Sequence, residues 1–411
     1  MRIFVAVRHA QDPDAFHSTL WSRNFYPALR KLGHELVESK VDLEPASRFM
    51  GVTGEYTPQE RRVRGRITQQ IVDEVREAHE EAPIDLFLSY FYDAHFEPAG
   101  FDAIHHLGIP TINFYCNSIY QFELVEDVAR AARWAWHAEK PAHDKYRAIG
   151  ANPVWVQMGA NPDVYYPKED VTRTQAACFV GRRYADRDRL VAALVQAGVP
   201  VEVFGSGWGH SETSPTSDTD TETEQTHLGR RQYSKGSLGT YAKVVRDHVE
   251  TYGLLDGLRR TWRQWQHRRK TKQLEPVIEP VLRGYADDLT QTFNAFEVVL
   301  NFSNVWGDGQ PGSELVPHVR MRDFQAPMCR SCYLTGHTDE IAEFYDIGEE
   351  IDTYRTREEL VDKTEYYLTH PERAERLRQA GYERGIQDHT WRRRFEDLFR
   401  KTGLADDSST T

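Results

Sequence analysis

Residues 319–328 read VRMRDFQAPM, two arginines, an aspartate and a glutamine among apolar neighbours. Taken as part of a helix over about 315–327, the stretch sets His318, Arg322 and Gln325 at i, i+4 and i+7 on one face. A guanidinium there neutralises a diphosphate leaving group as its negative charge develops. An amide there bonds two vicinal ribose hydroxyls. A solvated face of a surface helix is the plainer alternative. Just upstream, Gly307-x-Gly309-x-x-Gly312 follows a strand-like run, with Ser313 placed to cap the next helix. Bare backbone N–H groups at a helix N-terminus suit a diphosphate, although an ordinary loop has the same composition.

Two more loops follow strand-like runs, where open α/β sheets bind ligands. GRRYADR (181–187) offers Gly181, Arg182 and Arg183, and GSGWG (205–209) offers Gly205, Ser206 and Gly207. In the first half, SYFYDAHFEP (89–98) presents Asp93 and His95. Either is a candidate general base for deprotonating an acceptor hydroxyl if the reaction inverts, and neither is required if it retains. The same loop also suits a cap and a packed histidine. Arg8 and His9 follow the first strand-like run, and Asn117 follows PTINFYC; all three are candidates for the acceptor side.

Metal and redox readings are weak. Cys329-x-x-Cys332 has no second pair, and His337 does not complete a zinc set, so a buried structural role is expected. Asp218-Thr-Asp220 resembles a metal-binding DxD, yet it sits in SETSPTSDTDTETEQT (211–226), an acidic low-complexity tract read as a disordered loop.

Strand-like and helical runs alternate throughout, the pattern of parallel sheets covered on both faces. RIFVAVR, HELVESKV, IDLFLSY, PTINFYC, RWAWHA and NPVWVQM form a first series. AACFVG, VPVEVFGSGWG, FEVVLNFS, CYLTG and EIDTY form a second. The turn-rich GANPDVYYPKED (159–170) separates them. The expected division is 1–160 and 161–388, the second interrupted at 210–285. Residues 389–403 form a helix returning to the first domain, and 404–411 a disordered tail. Within the interruption a helix is expected over about 239–283, with seven Lys/Arg and no acid from Arg259 to Lys272. Packing onto the second domain and contact with an anionic membrane surface through 254–272 are both open to it.

The formal net charge of −12 argues against a nucleic-acid binder acting through overall charge. No apolar run approaches the roughly 20 residues of a membrane-spanning helix. Four cysteines without a secretion signal fit a reducing cytoplasm.

VRMRDFQAP, with the block from YLTGHTDEIAEFYDIGEEIDTY to HTWRRRF, resembles the C-terminal half of the CgeB-like (spore-maturation) glycosyltransferases. FVGRRYADR, VFGSGW, KLGHEL and GANPVWVQMGANPDVYYP match further signatures of that group. The resemblance implies the α/β GT-B fold, two Rossmann-like doubly wound domains facing a cleft, with 1–160 the acceptor domain and 161–388 the nucleotide-sugar domain. It implies transfer of a sugar from a nucleoside diphosphate sugar to a glycan, lipid-linked or small-molecule hydroxyl, with no cofactor and no protein-held metal. By it Arg320 and Arg322 serve the donor phosphates, and Gln325 stands where the family usually has Glu at the donor ribose. The family often shows an acid near Asn117 as well. A catalytically silent sugar-nucleotide binder or scaffold in envelope polysaccharide assembly, and a GT-B epimerase, are the alternatives.

Overall fold

The computed structural model describes residues 1–7, 20–208 and 253–405. Arg8, His9, the acidic tract 211–226 with Asp218 and Asp220, and the tail 406–411 lie outside the described residues. The chain divides into two compact units.

Unit 1 comprises Met1–Tyr166 and the chain from Arg384 onward. Its strands are β1 (Arg2–Ala6), β2 (Glu35–Glu38), β3 (Leu86–Ser89), β4 (Thr111–Tyr115), β5 (Trp134–His137) and β6 (Pro153–Trp155). They form one parallel sheet in the order β2-β1-β3-β4-β5-β6. Every residue of β3 (LFLS) and β4 (TINFY) is buried, as a sheet covered on both faces requires. The connecting helices are α1 (Tyr26–Lys31), entered through a π-helical turn, α2 (Glu44–Ser47), α3 (Pro58–Glu81), α4 (Pro98–His106), α5 (Glu126–Ala131) and α6 (His143–Ala148). The longest, α3, starts where Thr57 and Glu60 cap each other reciprocally, ahead of Pro58 at the first helical position. Ile67, Ile71, Val72 and Val75 form its buried stripe.

The end of the chain completes this core. Ala160 and Thr390 form a parallel bridge, and Thr390 then caps the helix Trp391–Thr402 by accepting the Arg393 N–H at 3.2 Å. Gly159 allows the approach, because a Cβ there would lie 2.9 Å from the His389 carbonyl oxygen. Trp391 then lies tilted against Phe25 (centroids 4.3 Å), and Phe395 meets Trp136 at 5.7 Å.

Unit 2 is described over 167–208 and 253–383. Its strands are β7 (Thr174–Val180), β8 (Val201–Phe204), β9 (Phe296–Asn301), the hairpin β10 (Asn304–Trp306) and β11 (Leu315–Pro317), β12 (Cys332–Gly336) and β13 (Asp352–Tyr354). Five of them form a parallel sheet in the order β13-β12-β9-β7-β8. Helices α7 (Arg187–Ala197), α8 (Leu254–Ile278), α9 (Leu289–Asn294), α10 (Arg322–Met328), α11 (Arg357–Thr369) and α12 (Pro371–Asp388) follow in chain order. The C-terminal end of α8 joins the unit's core through Ile278, with Leu274 and Val277 packed beside it.

The helix expected over 315–327 is shorter than its sequence suggests. Residues 315–317 pair with β10 as a strand, and α10 begins only at Arg322. The helix expected from about 338 is a 3₁₀ turn over Asp339–Glu343. Cys329 and Cys332 are buried free thiols, and burial pushes Cys332 up to about 12.

Candidate functional site

Strands β7, β8, β9 and β12 of unit 2 all end on one edge of its sheet, at Val180, Phe204, Asn301 and Gly336. The first two loops on that edge touch. Gly205 has φ +126°, and a Cβ on it would lie 2.4 Å from the Gly181 carbonyl oxygen, so only glycine fits. Trp208 Nε1 donates to that same oxygen at 2.6 Å. The Arg183 N–H donates to the Ser206 carbonyl, while its guanidinium holds Asp188 at 2.5 Å and approaches Glu275 at 3.6 Å. Arg183 therefore ties the two loops to α7 and α8, a structural use of the cation that sequence reading gave to a phosphate. Arg182 is half-buried, and its carbonyl accepts from Arg187 at 2.7 Å. Ser206 is half-buried and Gly207 exposed, with φ +78°.

The glycine-rich stretch corrects another expectation. Residues 307–314 are the turn of the β10–β11 hairpin, closed by the Gly307 N–H donating to the Glu314 carbonyl. Gly309 (φ +66°) and Gly312 (φ +86°) serve that turn. A Cβ on Gly312 would meet the Arg263 carbonyl of α8 at 2.9 Å. Ser313 leads into a strand and caps no helix. The turn is therefore no phosphate cradle at a helix N-terminus.

His318, Arg320, Arg322 and Gln325 do come together on the same edge. His318 precedes α10 rather than riding on it, so the one-face spacing holds only for Arg322 and Gln325. Arg322 Nη1 donates to Gln325 Oε1 at 3.3 Å, and Arg322 Nε donates to the Val180 carbonyl at 2.8 Å. Arg320 Nε donates to His318 Nε2. A guanidinium has no lone pair to offer, so Nε2 is the acceptor and the imidazole proton sits on Nδ1. That Nδ1 is buried and has no hydrogen-bond partner. Burial first, then the cations of Arg320 and Arg187, hold the His318 pKa well below the usual histidine value. The residue is 3 % exposed and thus neutral, and the Ser303 backbone is the one group that draws its pKa upward against burial and the two cations. Asp186 Oδ1, before α7, is also buried without a partner, its other oxygen accepting from Asn304 at 2.8 Å.

Asp323 was missed by the sequence reading. Its Oδ1 accepts from Tyr333 and Thr335 at 2.9 Å and from Asn301 at 3.3 Å. Its Oδ2 accepts the Arg320 backbone N–H at 2.7 Å. Burial raises this carboxyl to about 6, against the pull of those four donors. Asp323 thus fixes the backbone that carries Arg320 and, through it, His318. An acid between two arginines in VRMRDF was the available signal; its partners lie on distant strands.

In unit 1 the candidate bases are already occupied. Asp93 accepts the Asp127 and Val128 N–H groups at 3.2 and 2.9 Å, capping α5, and burial lifts its carboxyl to about 6. His95 Nδ1 accepts the Tyr92 N–H at 3.2 Å, which leaves Nε2–H to donate to Ser47 at 3.1 Å. The His95 ring and the Asp93 carboxylate are both engaged in local structure, the packed histidine and the cap that were the alternative to a base. Asn117 is fully buried, and its Oδ1 accepts from Tyr120 at 3.0 Å. Among the described residues no group of three His, Cys, Asp or Glu could hold a metal ion.

A family described as glycosyl transferase-like matches residues 242–400. Solved structures are similar over nearly the whole chain. Sucrose-phosphate synthase from Thermosynechococcus elongatus is 12 % identical at TM-score 0.53, covering 99 % of this chain and 100 % of that one. HepE from Anabaena, in complex with UDP and glucose, is 10 % identical at TM-score 0.55, covering 98 % and 100 %. A glycosyltransferase from Rickettsia africae is 8 % identical at TM-score 0.55, covering 99 % of each. No curated protein sequence matches the chain. At these identities the likeness concerns the fold, two Rossmann-like α/β units. The chain thus has the GT-B fold, and the His318–Gln325 cluster lies inside its glycosyl transferase-like segment.

Proposed function

We propose that the protein transfers a sugar from a nucleoside diphosphate sugar to an acceptor hydroxyl, as a CgeB-like, metal-independent glycosyltransferase. The observation that carries this reading is the unpaired N–H of buried, neutral His318, set beside Arg320 on the sheet edge where α/β folds bind ligands. HepE, of the same fold, was solved with UDP and with UDP-glucose, which supports a uridine diphosphate among the donors to try. In the reaction the bond from the anomeric carbon to the diphosphate oxygen breaks and one to the acceptor oxygen forms. The acceptor proton passes to an oxygen of the departing diphosphate. Arg320 and Arg322 stabilise the charge that builds on the leaving group. His318 Nδ1–H donates to a donor oxygen without changing charge. Gln325 is to meet the ribose through its amide, and Asp323 positions the segment. With Asp93 and His95 committed elsewhere, neither is proposed as a base. The acceptor is a glycan, lipid-linked or small-molecule hydroxyl, and the place of work the cytoplasm.

A second reading is a catalytically silent sugar-nucleotide binder, favoured by Gln325 itself: its amide oxygen already accepts from Arg322, and it stands where the resembling family has Glu. A thermal-shift panel of nucleoside diphosphates and their sugars, without added metal, tests both. A ligand at a hundredfold excess over Kd stabilises by about 2.7 kcal/mol. Stabilisation by one nucleotide, followed by turnover with its sugar, supports the enzyme. Stabilisation without turnover moves the conclusion to the binder, and silence across the panel refutes both.

A further inference from the structure

Helix α8 has two different faces. One packs on unit 2: Arg260 pairs with Asp308 at 2.7 Å, Gln264 donates to Gln310 at 3.1 Å, and the His267 ring lies 5.1 Å from that of Trp306. The opposite face is apolar and exposed. Leu255 is 83 % exposed, Leu254 62 %, Trp262 59 %, and Leu258 and Trp265 46 % each. Leu254, Leu258, Trp262 and Trp265 follow steps of three and four and so form one stripe. Elsewhere among the described residues, exposed large apolar side chains are scattered: Tyr166, Ile347, Tyr366 and Ile386. Scattered ones need no explanation, but a contiguous stripe does.

The charges beside the stripe define what covers it. Arg259, Arg268, Arg269, Lys270 and Lys272 are all exposed on α8, and the Arg269 guanidinium lies 5.6 Å from the Trp265 ring. Exposed acids, Asp256 and Glu275, occur only towards the two ends. No acid interrupts Arg259 to Lys272, in a chain whose net charge is −12. A helix with tryptophans and leucines on its open side and basic residues along it has the chemistry of an interfacial helix. Its apolar side chains enter the headgroup boundary, and its cations meet lipid phosphates. From Leu254 to Trp265 the stripe runs about 17 Å, at ~1.5 Å per residue, and the basic run extends beyond it to Lys272. No helix among the described residues is long and apolar enough to cross a membrane, so the contact is peripheral.

We infer that the exposed face of α8 docks on an anionic lipid surface. The docking is separate from sugar transfer: it requires neither a donor nor the His318 cluster. Acidity of the rest of the chain makes the attraction local to this face and sensitive to salt.

The test is flotation of the full chain with vesicles of phosphatidylcholine alone and of phosphatidylcholine with phosphatidylglycerol. Wild type is expected to float with the anionic vesicles at low salt, to stay behind with the neutral ones, and to be released by high salt. Trp262→Ala with Trp265→Ala should weaken binding about tenfold or more. Arg268→Gln, Arg269→Gln and Lys270→Gln together should weaken it about a hundredfold, near fivefold per charge. All these positions are exposed, so thermal stability should be unchanged in both variants. Failure to bind anionic vesicles at low salt overturns the inference, as does equal binding by the variants. Self-association lost in the double tryptophan variant, without vesicle binding, would assign the face to a second copy. Binding that arises only when 211–226 is removed would assign it to the chain's own acidic tract. Either of these outcomes also overturns it.

Discussion

Both units end their parallel strands in loops bearing histidines and carboxylates, but the two sets are used differently. In unit 1, both ring nitrogens of His95 and both oxygens of Asp93 are satisfied by Tyr92, Ser47, Asp127 and Val128. In unit 2, Arg320 fixes one nitrogen of His318 and the other is left buried without a partner. Leaving a buried N–H unsatisfied costs about 1–3 kcal/mol, a cost a fold tolerates where a ligand repays it. The difference teaches that residue type and loop position nominate a site, while the hydrogen-bond inventory discriminates between nominees.

The comparison breaks most visibly at Asp323. Asp323→Ala strands four donors around a vacated carboxylate site and should cost about 3–5 kcal/mol, measured by denaturant unfolding. Nucleotide binding should fall with it, because the Arg320 backbone loses its anchor. If stability drops while binding persists, Asp323 supports the core and not the site.

The titration of His318 sharpens the contrast. Its pKa is depressed in the fold, so between its folded value and about 6.5 the unfolded chain binds the extra proton. Its contribution to stability is therefore complete above about 6.5 and is lost as pH falls. His137 in unit 1, lowered to about 3 by burial and by neighbouring His143, acts in the same direction. Asp93 and Asp323, raised to about 6, act oppositely, favouring the fold as pH falls from about 6 towards the ordinary carboxylate value. Relative to wild type, His318→Gln should lose up to about 1.4 kcal/mol less stability for each pH unit below 6.5. Unfolding free energies measured across pH 4.5–6.5 in both proteins give that difference. Identical slopes would mean that His318 titrates normally in the fold.

Asp93→Ala gives the smallest effect, about 1 kcal/mol of stability for a lost helix cap. Nucleotide affinity and any turnover should be retained. Lost turnover in a folded Asp93→Ala protein, by enzymatic assay, would restore it as a base.

Much of the fold was legible because burial on both faces writes strands as short apolar runs, such as LFLS and TINFY. Thr57 and Thr390 likewise announce helix starts in local sequence. What was not legible depended on distant partners. LVP reads as the beginning of a helix until Asn304–Trp306 pairs with it, and the glycines before it then become a hairpin turn. Arg183 reads as a phosphate ligand until Asp188 and the tip of Glu275 claim it. Asp323 gains its role from Asn301, Tyr333 and Thr335, two strands that no local pattern places beside it. Arg322 and Gln325 were nominated by local spacing and by family resemblance, and Arg320 by the resemblance alone.

The central claim is that unit 2's edge, not unit 1's, awaits the nucleotide. Calorimetric titration of the nucleotide selected by thermal shift into wild type, His318→Ala, Arg322→Ala and His95→Ala tests it most directly. The account predicts wild-type affinity in His95→Ala and a loss of tenfold or more in the other two, roughly 1.4 kcal/mol at least. Equal affinity in all four, or loss confined to His95→Ala, would contradict it.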